Sequence, residues 1–248
     1  MFRRTLLLLN DALDDRVATA ITLVTFAGTL ILPYATMLFG HACAAAWIAI
    51  GIYALLRGGR DDTGRRWLYL GWLALGAAVL TEYPAIVIAS GVAVAAIAAA
   101  DKPRRVAIAA PLFLLPLLGI LVHNTTCFGS PLSLGYGKLE NTPFTGMKRG
   151  VFGVALPSPG AFVQLLLGGY RGLFFYSPVL AMTAACFGFW PKRLRLRIGA
   201  PLLVALVLVI SGYAYWQGGT CFGPRHLVVA IPVLALGAAF VPSRRSSS

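Results

Sequence analysis

Two arginines occupy positions that invite chemistry. Arg171 lies in LLLGGYRGLFFYSP and Arg225 in WQGGTCFGPRH, each within a glycine-rich turn among aromatic residues. Two guanidinium groups on separate turns could clamp one phosphate, because the planar fork donates to two oxygens at once. The competing reading is that each extends along its apolar stem to a lipid headgroup. His226 adjoins Arg225, which makes it a candidate for the same anion site, and Tyr170, beside Arg171, is a further candidate on the same outer face. Glu82, in LTEYP, ends an apolar run and has three possible roles: general base, ion-pair partner of one of these arginines, or solvated end group. His41 stands at another helix end, where a hydrogen-bonded capping role competes with a functional one. Lys138 and Lys148 complete the set, with Lys148-Arg149 reading as a solvated patch or headgroup contact.

Other reactive constellations are missing from the sequence. It contains no HExxH, nucleophile elbow or P-loop. Asp14-Asp15 and Asp61-Asp62 resemble catalytic or metal-binding pairs, but each lies beside arginines in a short polar turn and reads as solvated charge. Four cysteines are too few for a disulfide scaffold, and none has zinc-ligand spacing, so neither a metal nor a cofactor is evident. Cys43 and Cys186, inside apolar runs, read as small packing residues. TCFG occurs twice, ending in Gly129 and Gly223, and a Cys127–Cys221 disulfide between the two turns is expected if both face an oxidising compartment.

The elements that must position these residues are apolar helices. Of 248 residues, 58% are hydrophobic and only 12% charged, against about 25% charged in a soluble domain. The expected fold is therefore all-α: a polytopic membrane bundle whose spans need about 20 residues each. The net charge of +13 is not a nucleic-acid signature, because the basic residues fall in short clusters between apolar runs rather than in one stripe. These clusters are Arg3-Arg4, Arg57 to Arg66, Lys102 to Arg105, Lys192 to Arg197 and Arg244-Arg245, the pattern of cytoplasmic loops. About eight spans satisfy all of them with both termini cytoplasmic. They run approximately over 17–37, 42–56, 67–80, 85–100, 106–122, 174–190, 198–215 and 227–241, after a cytoplasmic lead over 1–16. Sixteen of the 21 Lys and Arg residues then lie inside, and Lys138, Lys148, Arg149, Arg171 and Arg225 lie outside with Glu82 and Glu140. One long outer loop, 124–173, interrupts the bundle and carries a helix over 159–173 that lies in the interface. The chain is otherwise a single transmembrane domain over 1–248.

Five segments carry a resemblance: FGHACAAAWIAIGIYALLR, GWLALGAAVLTEYPA, HNTTCFGSPLSLGY, GGYRGLFFYSPVL and YWQGGTCFGPRHLVVAIPVL. Together they resemble bacterial membrane glycosyltransferases of the GT-C superfamily, alongside protein O-mannosyltransferases and lipid A aminoarabinose transferases. The resemblance implies a multi-span helical protein of the bacterial plasma (inner) membrane. It further implies a polyprenyl-phosphate-linked sugar as donor substrate on the outer face, with Arg171 and Arg225 near the donor phosphate. Such enzymes carry their catalytic carboxylate on the first outer loop. Here that loop reads PYATMLFGH, without an acid, so the resemblance implies a C-terminal portion of such an enzyme, with Glu82 as the outer acid at a helix end.

Three function classes follow. The first is a glycosyltransferase-type protein whose partners are the lipid bilayer and a lipid-linked sugar. The second is a transporter or flippase for a lipid-linked or anionic substrate, although the expected spans hold few polar residues at mid-depth. The third is a non-catalytic membrane scaffold subunit.

Overall fold

A computed structural model describes residues 1–60, 64–133, 146, 150, 153–190 and 199–240. Helices dominate the described residues, and no strand occurs among them; an isolated antiparallel bridge joins Val154 to Tyr213. Two helical stretches, His41–Arg60 and Ala110–Phe128, are long and apolar enough to cross a membrane. Ala85–Ala99, Val179–Phe189, Pro201–Ser211 and Arg225–Phe240 are apolar but shorter.

The central element is α4 (His41–Arg60). It pairs antiparallel with α5 (Arg65–Thr81), and the register is set by leucines seated on glycines. Leu75 lies against Gly51, Leu55 against Gly71 and Leu68 against Gly58. A Cβ on Gly71 would come within 2.7 Å of the Leu55 side chain and 3.0 Å of its backbone nitrogen, so only glycine lets the helices approach this closely. The register places His41 and Glu82 at one end of the pair, with Arg57, Arg60, Arg65 and Arg66 at the other. At 1.5 Å per residue the twenty residues of α4 separate these ends by roughly 30 Å.

Around this pair the chain is more broken than the sequence suggests. The expected lead over 1–16 forms α1 (Phe2–Leu9), which packs on α4 with Leu6 fully buried. Asn10 Nδ2 donates to the Ala239 carbonyl at 2.9 Å, joining the two ends of the described chain. The expected first span divides at Gly28 into α2 (Asp15–Ala27) and α3 (Ile31–Ala35). This break is held by Ser177, whose Oγ accepts the Leu30 N–H at 3.1 Å. After α6 (Ala85–Ala99), the expected fifth span becomes α7 (Pro103–Ile108), a 3-10 turn over Ala110–Phe113 and α8 (Leu114–Phe128). Pro111 supplies no N–H, so the helical ladder cannot continue unbroken through this turn. Beyond α5, α8 offers apolar side chains to the outside: Leu114, Leu118 and Val122 are all more than half exposed.

The helix expected over 159–173 is shorter. α9 (Pro159–Leu167) is capped by Ser158 Oγ, which accepts the Ala161 N–H, and stops at Gly168. A turn carrying Arg171 leads to α10 (Leu173–Tyr176) and α11 (Val179–Cys186), which are separated by Ser177-Pro178. α12 (Gly199–Ser211) precedes a glycine-rich turn. The expected last span is a 3-10 stretch over Arg225–Ala230, α13 (Ile231–Ala235) and a second 3-10 stretch over Leu236–Phe240, nearly all buried.

Candidate functional site

Three loops meet at the end of the α4/α5 pair opposite the basic cluster. The turn before α4 brings Phe39 and His41, the turn after α5 brings Glu82, and the start of the Arg225–Ala230 stretch brings Arg225 and His226. Gly40 permits the first approach, since a Cβ there would lie 3.0 Å from Glu82 Oε1 and 3.0 Å from Thr81 Cγ2. His41 Nδ1 lies 3.0 Å from Glu82 Oε1. The two atoms are close, but the ring is turned so that Nδ1 has no aligned hydrogen-bond partner.

The His41 ring lies edge-on to Tyr34 at 5.4 Å and to His226 at 5.9 Å, and stacks on Phe39 at 5.7 Å. Tyr213, from the end of α12, closes over His226 at 5.7 Å. The Arg225 guanidinium carbon sits 5.5 Å from the Phe39 ring centre, within cation–π range. Gly218, at φ +74, passes beneath the Arg225 stem, and a Cβ there would meet Nε at 3.0 Å. No carboxylate lies within ion-pair distance of Arg225 among the described residues.

Burial pushes the Glu82 carboxyl up to about 7 from an ordinary 4.5, while the positive charge of Arg225 opposes the rise. Its position at the C-terminal end of α5 adds a helix dipole of the wrong sign for an anion. A carboxyl poised near neutral pH beside an imidazole can exchange protons with a bound hydroxyl.

Arg171 has a different role from Arg225. The residue is 5% exposed, and its guanidinium spans the turn over 216–223. Nη1 donates to the carbonyls of Cys221 and of Gly223, the latter at 3.1 Å, and Nη2 donates to Gly219 at 2.6 Å and to Tyr170 Oη at 3.3 Å. The Tyr170 ring lies 4.4 Å from the Arg171 guanidinium carbon, and its remaining surface is exposed. Tyr34 Oη donates to the Phe222 carbonyl at 2.7 Å, fixing the same turn from the other side. Both Nη atoms of Arg171 are thus engaged, by three backbone carbonyls and the Tyr170 hydroxyl, while its buried Nε has no partner, so the side chain expected as a phosphate ligand instead holds this turn. With both terminal nitrogens donating inside the protein, the two-pronged face of the guanidinium is not available to an anion.

The expected Cys127–Cys221 disulfide is also corrected: both thiols are free. Cys127 Sγ lies 3.7 Å from His123 Nδ1 on its own helix, exposed on α8. Cys221 Sγ faces the carbonyls of Gln217 and Gly223, inside the turn that Arg171 holds. Lys138 and Lys148 lie outside the described residues.

Sequence reasoning named His41, Glu82, Arg225 and His226 separately, and the fold brings them together. Phe39 and Tyr34 were not singled out in the sequence, yet both join the site, and Tyr34 is buried at 1% exposure. The one local signal was aromatic spacing around Pro33, too common to single out. A groove opens from this end, with a cavity volume of about 490 Å3, between α2, α3 and α4. Tyr34 and Phe39 belong to both site and groove, and Phe26, Ala42, Ala46 and Ala49 line its length. No family model, curated protein or solved structure matches the chain.

Proposed function

We propose that the chain is a membrane-spanning helical protein of glycosyltransferase type, using a polyprenyl-phosphate-linked sugar. In this reading the bundle has about eight spans, counting its broken segments, with the basic end of α4/α5 cytoplasmic and the His41/Glu82/Arg225 end outside. The observation that carries the reading is Phe39, whose ring both lines the apolar groove and lies 5.5 Å from the Arg225 guanidinium carbon. An alanine-lined slot that ends at Phe39, beside a cation with no carboxylate partner among the described residues, fits a long apolar chain that ends in a phosphate. The resemblance of the sequence to GT-C glycosyltransferases supplies the reaction class.

Arg225 would stabilise negative charge as it develops on the departing phosphate. The acceptor hydroxyl oxygen bonds to the anomeric carbon as the bond from that carbon to the phosphate oxygen breaks. The hydroxyl proton passes to Glu82, with His41 beside it as a second proton carrier. A flippase for the same lipid-linked sugar would use the groove equally well. The Glu82–His41 contact favours transfer, because moving the lipid alone requires no base.

The test is binding and turnover of a radiolabelled polyprenyl-phosphate-sugar by the full chain in detergent. Arg225→Ala should lose donor binding. Glu82→Gln should bind the donor yet release no polyprenyl phosphate when an acceptor is supplied. Unchanged binding in Arg225→Ala would remove the phosphate role, and full turnover in Glu82→Gln would leave a carrier without the proposed chemistry.

A further inference from the structure

A second cavity, of about 620 Å3, lies at the opposite, basic end of the molecule. One wall is the start of α5, where Arg65, Leu68 and Tyr69 follow the i, i+3, i+4 spacing that puts side chains on one helix face. The other wall repeats that spacing in Arg105, Ile108, Ala109 and Leu112. Trp72 Nε1 donates to the Val106 carbonyl at 2.9 Å and pins the two walls together at the inner edge. Deeper along α5 the walls are in contact, since a Cβ on Gly76 would lie 2.2 Å from the Phe113 carbonyl oxygen. Between these two contacts the second wall carries the 3-10 turn over Ala110–Phe113, and Pro111 itself lines the cavity. The result is a wedge with an arginine on each wall and an apolar floor, and Ile108 and Tyr69 stand exposed at its mouth.

We infer that this wedge binds an anionic glycerophospholipid from the leaflet at the basic end. The phosphate would lie between Arg65 and Arg105, and an acyl chain would lie along Leu68, Ile108 and Leu112. Charge decides the occupant. Arg65 and Arg105 line the cavity itself, and the two turns they belong to carry Arg57, Arg60, Arg65, Arg66, Lys102, Arg104 and Arg105 against Asp61, Asp62 and Asp101, a net positive balance in sequence. A zwitterionic headgroup would carry its ammonium into this cationic surround. Basic pockets between helices on the cytoplasmic side are suited to anionic headgroups. The inference rests on the chain spanning a bilayer and not on sugar transfer.

The experiment is native mass spectrometry of the detergent-solubilised full chain, titrated with dioleoyl-phosphatidylglycerol or dioleoyl-phosphatidylcholine. Membranes extracted with carbonate are run in parallel. The wild type should remain in the membrane pellet and hold phosphatidylglycerol in preference to phosphatidylcholine. The R65Q/R105Q double variant should bind phosphatidylglycerol about thirtyfold more weakly, the loss expected for two surface cations. Arg104→Gln, beside the wedge but not lining it, should change binding by less than about fivefold. Ile108→Trp, which fills the apolar wall and leaves both arginines intact, should weaken binding without touching charge. Equal binding of the two lipids, or undiminished binding in both the double variant and Ile108→Trp, would overturn the assignment while leaving the bilayer reading intact. Release of the wild type by carbonate would overturn both.

Discussion

His41 Nδ1 and Glu82 Oε1 stand 3.0 Å apart because the α4/α5 pair is in register from one end to the other. Leu68 on Gly58, Leu55 on Gly71 and Leu75 on Gly51 are steps of one ladder, and the histidine–glutamate contact follows two to three turns beyond it. Local helix packing therefore determines how closely an imidazole and a carboxyl approach at the end of the bundle.

The first prediction concerns that ladder. Gly71→Val places a branched side chain against the backbone of Leu55 and should destabilise the protein by about 1–3 kcal/mol, the usual range for overpacking. Gly119 meets Leu80 at 3.4 Å, an ordinary contact, so Gly119→Ala should be neutral or stabilising by up to about 1 kcal/mol. Thermal unfolding in detergent by tryptophan fluorescence checks both.

The second concerns pH. Glu82 binds its proton more tightly in the folded chain, at about 7, than at its ordinary 4.5. Its contribution to stability is therefore fully present below pH 4.5 and is lost as pH rises to about 7. Glu82→Gln mimics the protonated form and lacks this loss. The melting temperature of the variant minus that of wild type should climb between pH 4.5 and 7 and then level off. A flat difference across that window would contradict the burial of Glu82.

The third separates the two arginines. Arg171→Met leaves the carbonyls of Gly219, Cys221 and Gly223 without their donor and should cost roughly 3 kcal/mol. It should also release the turn, so that Cys221 reacts faster with a maleimide. Arg225→Gln should leave the rate of Cys221 labelling unchanged and lose anion binding. Mass spectrometry of the labelled peptides tells a turn-holding residue from a ligand-binding one.

The fourth concerns the cysteines. Protein prepared without reductant should take up alkylating reagent at both Cys127 and Cys221. Cys127, exposed on α8, should react before Cys221, which is half-buried against Gln217 and Gly223. A Cys127–Cys221 crosslinked peptide in the digest would be the contrary result.

The fifth concerns Trp72. Its indole N–H reaches the Val106 carbonyl at 2.9 Å in a buried setting, so Trp72→Phe should cost about 1 kcal/mol or more through the unpaired carbonyl. The same melting assay measures it.

Much of the site was legible in the sequence because charge is distributed unevenly along an apolar chain. Sorting basic clusters to one side leaves His41, Glu82, Arg225 and His226 on the other, and helix length alone then carries them to one end of the molecule. Their proximity within that end was not legible, because it depends on which helices neighbour α4. The breaks at Gly28, Pro111 and Ser177-Pro178 were hidden for a related reason. Apolar runs read as continuous, but a distant hydroxyl such as Ser177 Oγ can satisfy the interrupted backbone.

Composition and charge order by themselves determined that the chain is helical and that its polar residues gather opposite its basic turns, since both follow from burial and solvation of each segment taken alone. Only the tertiary structure decided that Arg171 is occupied by carbonyls while Arg225 is not, and that the cysteines stay apart. Those outcomes depend on how the turn over 216–223 folds back on itself. Its positive-φ glycines, Gly218 and Gly223, allow that path, but the contacts that fix it come from Tyr34 and Arg171, far away in sequence.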